Sequence, residues 1–77
     1  MNVYIVRCAD DSLYTGVAKD VAHRIAQHNR GKGSKYCASR RPVALVYQEH
    51  AESLSAALKR EAEIKQLTRV QKEQLMA

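Results

Sequence analysis

The fold of this chain is limited chiefly by its short length and its low content of aromatic residues. It has 77 residues, and none of them is Trp or Phe. A chain of this length forms one domain and buries only about 60% of the surface that it exposes when unfolded. The core must therefore come from Val, Ile, Leu and Ala. We expect a single domain over residues 1–77, in which the four tyrosines need an explanation of their own.

The charge of the chain favours a polyanionic partner. Thirteen Lys and Arg residues against eight Asp and Glu residues give a net charge of +5, which promotes binding to nucleic acid. Residues 30–41, which we call the basic segment, contain no acidic residue. Its five cations are Arg30, Lys32, Lys35, Arg40 and Arg41. The small residues between them would bring backbone N–H groups and cations close to phosphates. An ordinary solvated loop would give the same pattern, and a need for solubility alone would explain the net charge.

The two cysteines, Cys8 and Cys37, do not form a metal-binding motif, because they are far apart in sequence and no CxxC is present. The apolar stretch at the N-terminus ends at Arg7 and is too short for a signal peptide. No apolar run is long enough to cross a bilayer. These features predict a soluble, reduced protein of the cytoplasm.

The first part of the chain has the pattern of a β-hairpin followed by a helix. Residues 3–8 and 13–17 are apolar and rich in β-formers, and the turn-like sequence Ala-Asp-Asp-Ser separates them. Asp20 is suited to cap a helix that runs to about Asn29, where Gly31 stops it.

The second part adds one strand and two helices. Val43, Leu45 and Tyr47 occupy alternate positions, which predicts a strand over residues 43–47. Ser53 can cap a second helix that runs to about Gln66, and Thr68 with Gln71 forms a capping-box pattern for a short third helix. The resulting order, ββαβαα, predicts an α+β fold in which helices flank a small antiparallel sheet.

The second predicted helix carries a carboxylate on its apolar stripe. Glu61 follows Leu58 by three residues, which places it on the face that we expect to be buried. The stripe consists of Leu54, Ala57, Leu58, Glu61, Ala62 and Lys65. A buried carboxylate must be paired, hydrogen-bonded or bound to a metal. From this helix alone, an ion pair with Arg24 or with a nearby lysine is the favoured interpretation.

Polar groups from four elements converge on one small core. The first predicted helix presents Arg24 and His28 from consecutive turns of one face, a pair that by itself is typical of a packed histidine and an arginine at the surface. Tyr4 and Tyr14 come from the two strands of the hairpin, and Glu61 comes from the second helix. In a domain of this size these side chains cannot lie far apart.

At these positions the sequence resembles a known family of nucleases. Val3-Tyr4-Ile5, followed by Tyr14-Thr15-Gly16, is similar to the two motifs that give the GIY-YIG nucleases their name. Arg24 and His28 lie in a stretch that resembles the arginine-bearing helix of the family, and Glu61 lies in one that resembles its metal-binding helix. The resemblance covers nearly the whole chain and is strongest to small stand-alone bacterial members, the URI-domain or YhbQ-like proteins.

The resemblance implies a metal-dependent nuclease with a three-stranded antiparallel sheet. One Mg²⁺ or Mn²⁺ ion would bind to Glu61. The implied catalytic residues are Tyr4, Tyr14, Arg24, His28 and Glu61. Family members cut DNA in excision repair, restriction and intron homing, so the expected partner is DNA, cut by an endonuclease with weak sequence specificity. The choice between DNA and RNA, the strandedness of the substrate, endo- against exonuclease action and the oligomeric state stay open.

Two residues compete for the role of general base in such a reaction. The resemblance favours Tyr4, although a free phenol titrates near ~10 and would need Arg24 or the metal to stabilise its phenolate. His28 is the competitor, because a free imidazole titrates near ~6.5. Tyr14 would position water or phosphate, and so would His28 if Tyr4 is the base. Arg24 would hold the phosphate, since its planar guanidinium matches the phosphate oxygens.

The remaining candidate residues concern binding. Gly16 would leave room for a backbone to approach the site. Lys32, Lys35, Arg40 and Arg41 are expected to contact phosphates outside the catalytic centre, without reading sequence. A non-catalytic nucleic-acid-binding module on the same fold would use the same basic segment. It would tolerate the loss of Glu61, whereas an enzyme would not.

The predicted roles also constrain the hairpin. Tyr4 and Tyr14 can share a face only if the numbers of paired residues add up to an even sum. We therefore predict a three-residue loop, Asp10-Asp11-Ser12, with Ala9 opposite Leu13, or a bulge with the same effect.

Overall fold

The computed structural model describes residues 1–77 and has the predicted α+β architecture. Its strands and helices are β1 (Asn2–Arg7), β2 (Leu13–Ala18), α1 (Val21–Asn29), α2 (Lys35–Ala38), β3 (Ala44–His50), α3 (Leu54–Lys65) and α4 (Arg69–Met76). The sheet is antiparallel, with the strand order β2-β1-β3. The predicted order of elements is confirmed, with a single-turn helix, α2, added. None of the helices is long and apolar enough to cross a membrane.

The central strand β1 divides the core into two layers, because successive side chains of a strand point to opposite faces. Tyr4 and Val6 face a cluster that includes side chains from α1 and α2. Val3 and Ile5 face a second cluster, to which α3 contributes Ala57 and Ile64 and α4 its terminal Leu75 and Met76. Helices therefore cover both faces of the sheet. The face with Tyr4 is the one that carries the candidate site.

The register of the β1–β2 hairpin differs from the predicted one by two residues. Arg7, rather than Ala9, lies opposite Leu13. The loop is Ala9-Asp10-Asp11, closed by the Cys8 N–H group, which donates to the Ser12 carbonyl oxygen at 2.8 Å. The loop begins one residue earlier in the sequence than predicted. Asp10 stabilises it by accepting a hydrogen bond from the Ser12 N–H group at 3.0 Å, and Asp11 adopts a φ of 69°, which aspartate tolerates.

The paired numbers still add up to an even sum, so the two tyrosines share a face of the sheet as predicted. Tyr4 lies opposite Gly16, and Val6 lies opposite Tyr14. The predicted face of the two rings is correct although the predicted loop is wrong, because a shift of two residues preserves the alternation of faces.

The ends of α1 agree with the predicted signals. The Asp20 side chain accepts from the His23 N–H group at 3.0 Å. At the other end, Gly31 has a φ of 82°, and its N–H group donates to the His28 carbonyl oxygen at 3.0 Å. This is the left-handed residue of a glycine-terminated helix. It fixes the last turn of α1, which carries His28.

The basic segment is more ordered than the predicted loop. Its middle forms α2, where Cys37 is fully buried and the Ser34 side chain caps the helix. Asn29 ties the two ends of the segment together: its amide donates to the Val43 carbonyl oxygen at 3.1 Å and accepts from the Val43 N–H group at 2.7 Å. The prediction missed α2 because one turn anchored by one buried side chain leaves no periodic pattern.

The two cysteines lie in the same core cluster and are not bonded to each other. Burial raises the pKa of Cys37 to about 11, and the nearby Cys8 thiol adds to the increase. Cys37 is therefore a protonated thiol at neutral pH that packs as a small apolar side chain.

The apolar stripe predicted for the second helix is only partly buried, which corrects the expectation for α3. Ala57 and Ile64 are fully buried, whereas Leu54 and Leu58 expose 53% and 49% of their surface. The helix faces the sheet with Ala57 and Ile64, seven residues apart, so the edge of α3 that carries Leu54, Leu58 and Glu61 faces a cleft beside the sheet. Ala62 and Lys65 are exposed.

Candidate active site

A cleft of about 420 Å³ opens between the β1–β2 hairpin, α1 and α3. Five of the residues singled out from the sequence line it: Tyr4, Tyr14, Gly16, Arg24 and Glu61. The other lining residues are Met1, Val17, Ala18, Lys19, Leu54 and Leu58. The fold thus brings together four separate elements at one site, as the sequence predicts.

His28 does not line the cleft but lies directly behind Tyr4. Its Nε2 atom is 2.8 Å from the Tyr4 hydroxyl oxygen, which is hydrogen-bonding distance. Both side chains are only 1% exposed, and His28 Nδ1 is buried without a hydrogen-bond partner. The Tyr14 ring packs edge-on against the same imidazole, with 5.7 Å between ring centroids. One histidine therefore connects the two tyrosines of the site.

Gly16 makes room for Tyr4, which is a different role from the backbone approach expected from the sequence. Because the two residues are paired across β1 and β2, the Tyr4 ring covers the position where a side chain would stand. A Cβ atom at Gly16 would lie 2.5 Å from the Tyr4 hydroxyl oxygen and 2.7 Å from the ring carbon that bears it. The Tyr4 ring is buried, so a side chain at residue 16 would have to push it out of its position.

Burial keeps both members of the Tyr4–His28 pair neutral. It raises the pKa of Tyr4 to about 12; Tyr14 contributes to the increase, and Arg24 acts against it. Burial also lowers the pKa of His28 below 6.5, and the Arg24 guanidinium adds to this decrease. At neutral pH, the phenol therefore keeps its proton, and one ring nitrogen of His28 stays unprotonated. The stabilisation of a resting phenolate by Arg24, considered from the sequence, is outweighed by burial.

Arg24 projects from α1 into the cleft without a carboxylate partner. Its Nη1 atom makes one long contact, at 3.5 Å, with the Val17 carbonyl oxygen. Of the two partners considered for Glu61 from the sequence, the structure contains the lysine: Lys65 Nζ lies 3.4 Å from Glu61 Oε2. Arg24 therefore keeps its guanidinium available for an anionic ligand.

Glu61 is the carboxylate of the cleft, and its side chain is 19% exposed. The structure contains no cluster of three or more His, Cys, Asp or Glu side chains that could enclose a metal. A single carboxylate in a cleft with room for water suits a hydrated Mg²⁺ ion, which keeps most of its water ligands. The Lys65 side chain, 52% exposed, is a weak competitor for the carboxylate. The residues present thus fit a divalent ion held by Glu61.

A stack of planar groups that the sequence analysis missed supports Tyr14. Tyr36, from α2, stacks on the Tyr14 ring with 5.8 Å between centroids and an angle of 24°. The Arg40 guanidinium lies 3.8 Å from the centre of the Tyr36 ring and pairs with Asp10 of the hairpin loop at 3.1 Å. No pattern in the sequence links these four residues, because they lie up to thirty positions apart in the chain.

The cations of the basic segment fall into two groups. Arg40 is held by Asp10, and Arg41 donates to the Ala38 carbonyl oxygen at 2.9 Å, so both guanidinium groups have partners within the chain. Arg30, Lys32 and Lys35 are exposed and take part in none of the ion pairs. Lys19, which no sequence pattern singles out, lines the cleft directly after β2 and lies outside the basic segment.

Comparisons with known proteins agree on one family. A family model described as the GIY-YIG catalytic domain matches residues 1–74. UPF0213 proteins from Staphylococcus aureus strains Mu50 and N315 are each 62% identical over 74 residues, which make up 96% of this chain and 90% of each relative. The solution structure of the UPF0213 protein BH0048 from Bacillus halodurans is 47% identical, with a TM-score of 0.60, over 97% of this chain and 82% of the other. The residues that the family model matches include all those that line the cleft.

Gly16→Ala should displace Tyr4 from His28, because the added Cβ atom and the Tyr4 hydroxyl cannot occupy the same space. We expect a loss of about 1–3 kcal/mol in the free energy of unfolding, the usual cost of overpacking, and a change in the NMR shift of His28 Nε2. Thr15→Val is the matched control, since Thr15 is buried on the opposite face of β2 and its hydroxyl has no partner. An unchanged His28 signal in Gly16→Ala would contradict the packing argument.

Acidification should destabilise the protein through His28. Its pKa in the folded state lies below 6.5, so the unfolded chain binds the proton more readily than the folded one. This contribution to stability is therefore complete above about pH 6.5 and is lost as the pH falls through the folded-state pKa. Urea denaturation at a series of pH values, with an NMR titration of the His28 ring, measures both quantities. Titration of His28 above pH 6.5 would reverse the expected sign.

Proposed function

Because the chain belongs to the GIY-YIG catalytic-domain family, we propose that it is a metal-dependent nuclease that hydrolyses phosphodiester bonds in DNA. The observation that carries the proposal is the convergence of Tyr4, Tyr14, Arg24 and Glu61 on one cleft, with His28 bonded behind Tyr4. Phosphodiester hydrolysis needs an activated water, a cation on the phosphate oxygens and stabilisation of the leaving oxygen. The cleft offers residues suited to each of these tasks.

Arg24 and Glu61 have complementary tasks in this proposal. Arg24, free of any carboxylate partner, binds the non-bridging oxygens of the scissile phosphate as negative charge builds on them. Glu61 holds a divalent ion, Mg²⁺ or Mn²⁺, which supplies Lewis-acid stabilisation of the leaving oxygen when it is bound. These two side chains line the same cleft from α1 and α3, so a phosphate can lie between them.

Tyr4 and His28 act together as the general base. A Tyr4 phenol with a pKa of about 12 does not lose its proton on its own at neutral pH. With His28 Nε2 2.8 Å away, Tyr4 can take a proton from the attacking water while it passes its own hydroxyl proton to the neutral imidazole. Tyr4 and His28, the two candidates for the base, thus act in sequence in one proton relay. Tyr14, which contacts the same imidazole, orients the water or the phosphate.

Binding outside the catalytic centre falls to the cations that have no partner within the chain. Lys32 and Lys35 are exposed and can neutralise phosphates along the backbone of the substrate, an interaction that carries little sequence information. Arg40 and Arg41 contribute less than their charge suggests, because their guanidinium groups are already engaged. We therefore expect weak sequence specificity.

Glu61→Gln should abolish metal-dependent cleavage and leave the fold intact. The ion pair that it removes is with an exposed lysine, so the free energy of unfolding should fall by less than about 1 kcal/mol. Cleavage of labelled DNA with Mg²⁺ or Mn²⁺, together with thermal melts, measures both effects. The control is Glu63→Gln. It removes another carboxylate of α3, one that pairs with Arg60.

Two outcomes of this experiment would contradict the proposal. Cleavage that persists in Glu61→Gln would show that Glu61 does not hold the metal. If the wild-type protein binds nucleic acid but does not cut it with either Mg²⁺ or Mn²⁺, it is instead the non-catalytic binding module.

Arg24→Ala and Lys35→Ala should separate chemistry from affinity. Arg24→Ala should lower the single-turnover rate by at least about 100-fold, since it removes the charge that meets the phosphate in the transition state, and should weaken binding modestly. Lys35→Ala should weaken binding equally for all sequences and reduce the salt slope of binding by about one unit, with little change in rate. Salt titrations of binding and single-turnover kinetics measure these effects. A Lys35→Ala variant that loses rate but keeps its salt slope would place the basic segment in the catalytic centre.

A further inference from the structure

The cleft has an apolar wall that the proposed phosphate chemistry does not use. Leu54 and Leu58 are about half exposed and line the cleft together with Met1 and Val17. Spacings of four and three residues place both leucines on the same face of α3 as Glu61. Two neighbouring leucines exposed at the candidate site indicate contact with an apolar part of a ligand.

We infer that Leu54 and Leu58 form a subsite for an unpaired nucleobase next to the scissile phosphate. The inference rests on the proposed nuclease function, in which Arg24 holds that phosphate. Every nucleobase has an apolar face that a side chain can cover without reading its identity. An aliphatic wall beside a phosphate-binding arginine therefore suits the two halves of one nucleotide.

The base has to be unpaired for geometric reasons. In a duplex, stacked neighbours cover both faces of each base, so a side chain reaches a face only when the base leaves the stack. The cleft is concave, and its volume of about 420 Å³ falls within the range of about 300–1,000 Å³ typical of small-molecule sites. It can take one nucleotide but not a double helix. The substrate class that follows is single-stranded nucleic acid, or a strand with an unpaired end or flap.

The charges around the apolar wall favour a nucleotide over an apolar protein segment. Lys19 and Arg24 line the same cleft as the two leucines. One carboxylate, Glu61, also lines the cleft, so the cations are in excess. A nucleotide brings a phosphate to these cations, whereas an apolar segment would bury the excess positive charge without a partner, which is costly. A second copy of this chain is the competing occupant, and its presence can be measured directly.

The test compares three probes: an oligothymidylate of about twelve nucleotides, within the site sizes of single-strand binders, a fully abasic strand of the same length, and a duplex of that length. Fluorescence anisotropy with the Glu61→Gln protein measures binding without cutting. Adding Leu58→Ala, or Leu54→Ala, should weaken binding of the oligothymidylate about five-fold and leave the other two probes unchanged. Val70→Ala, at a residue of α4 that is 63% exposed and outside the cleft, is the matched control.

The outcomes separate this inference from the function on which it rests. Equal losses on the oligothymidylate and the abasic strand, or no loss on either, would overturn the subsite and leave the nuclease proposal standing. Absence of cleavage by the wild-type protein, and of binding to all three probes, would overturn both. Analytical ultracentrifugation of the protein without probes measures whether a second copy of the chain binds at the leucines. A dimer that Leu58→Ala converts to monomers would assign the leucines to an interface and contradict the inference.

Discussion

The site depends on one close contact, the packing of the Tyr4 ring over Gly16 across the β1–β2 hairpin. This contact lets a large side chain lie flat against the sheet, with its hydroxyl 2.8 Å from His28 Nε2. The position of His28 follows in turn from the end of α1, and Gly33 completes its surroundings, since a Cβ atom there would lie 3.3 Å from the imidazole. A phenol and an imidazole buried in this way stay neutral. The proton chemistry proposed for the cleft therefore follows first from packing, and the Arg24 charge is a smaller influence.

The parts of the fold that the sequence predicts well are those set by local chemistry. The Asp20 cap and the Gly31 stop of α1 depend on one or two residues each and were predicted correctly. The shared face of Tyr4 and Tyr14 follows from the alternation of strand residues and tolerates a shift of two in the register. Features set by contacts between distant elements were missed or wrong. They include the rotation of α3, which exposes two of its leucines, and the one-turn helix α2.

The candidate site shows the same division. The sequence predicts which polar side chains meet in the cleft, because each comes from a different element of one small domain. It does not reveal which charges are already satisfied. Arg40 belongs to a basic run in sequence, yet in the structure it faces Asp10, thirty positions earlier, and the ring of Tyr36. Charge counted along the chain therefore overstates what is available to a ligand, and only the fold separates a free lysine from an engaged arginine.

The two hydrogen bonds of Asn29 to Val43, together with the buried Cys37, have a consequence for the energetics of recognition. They fix the backbone of the basic segment at both ends and in its middle. A binding loop that becomes ordered only on contact with its ligand loses about 1–2 kcal/mol of backbone conformational entropy per residue at that moment. In this chain that entropy is lost during folding, so Lys32 and Lys35 have only the freedom of their own side chains left to lose. A domain of 77 residues thus presents a preorganised surface, on which few contacts can give useful affinity.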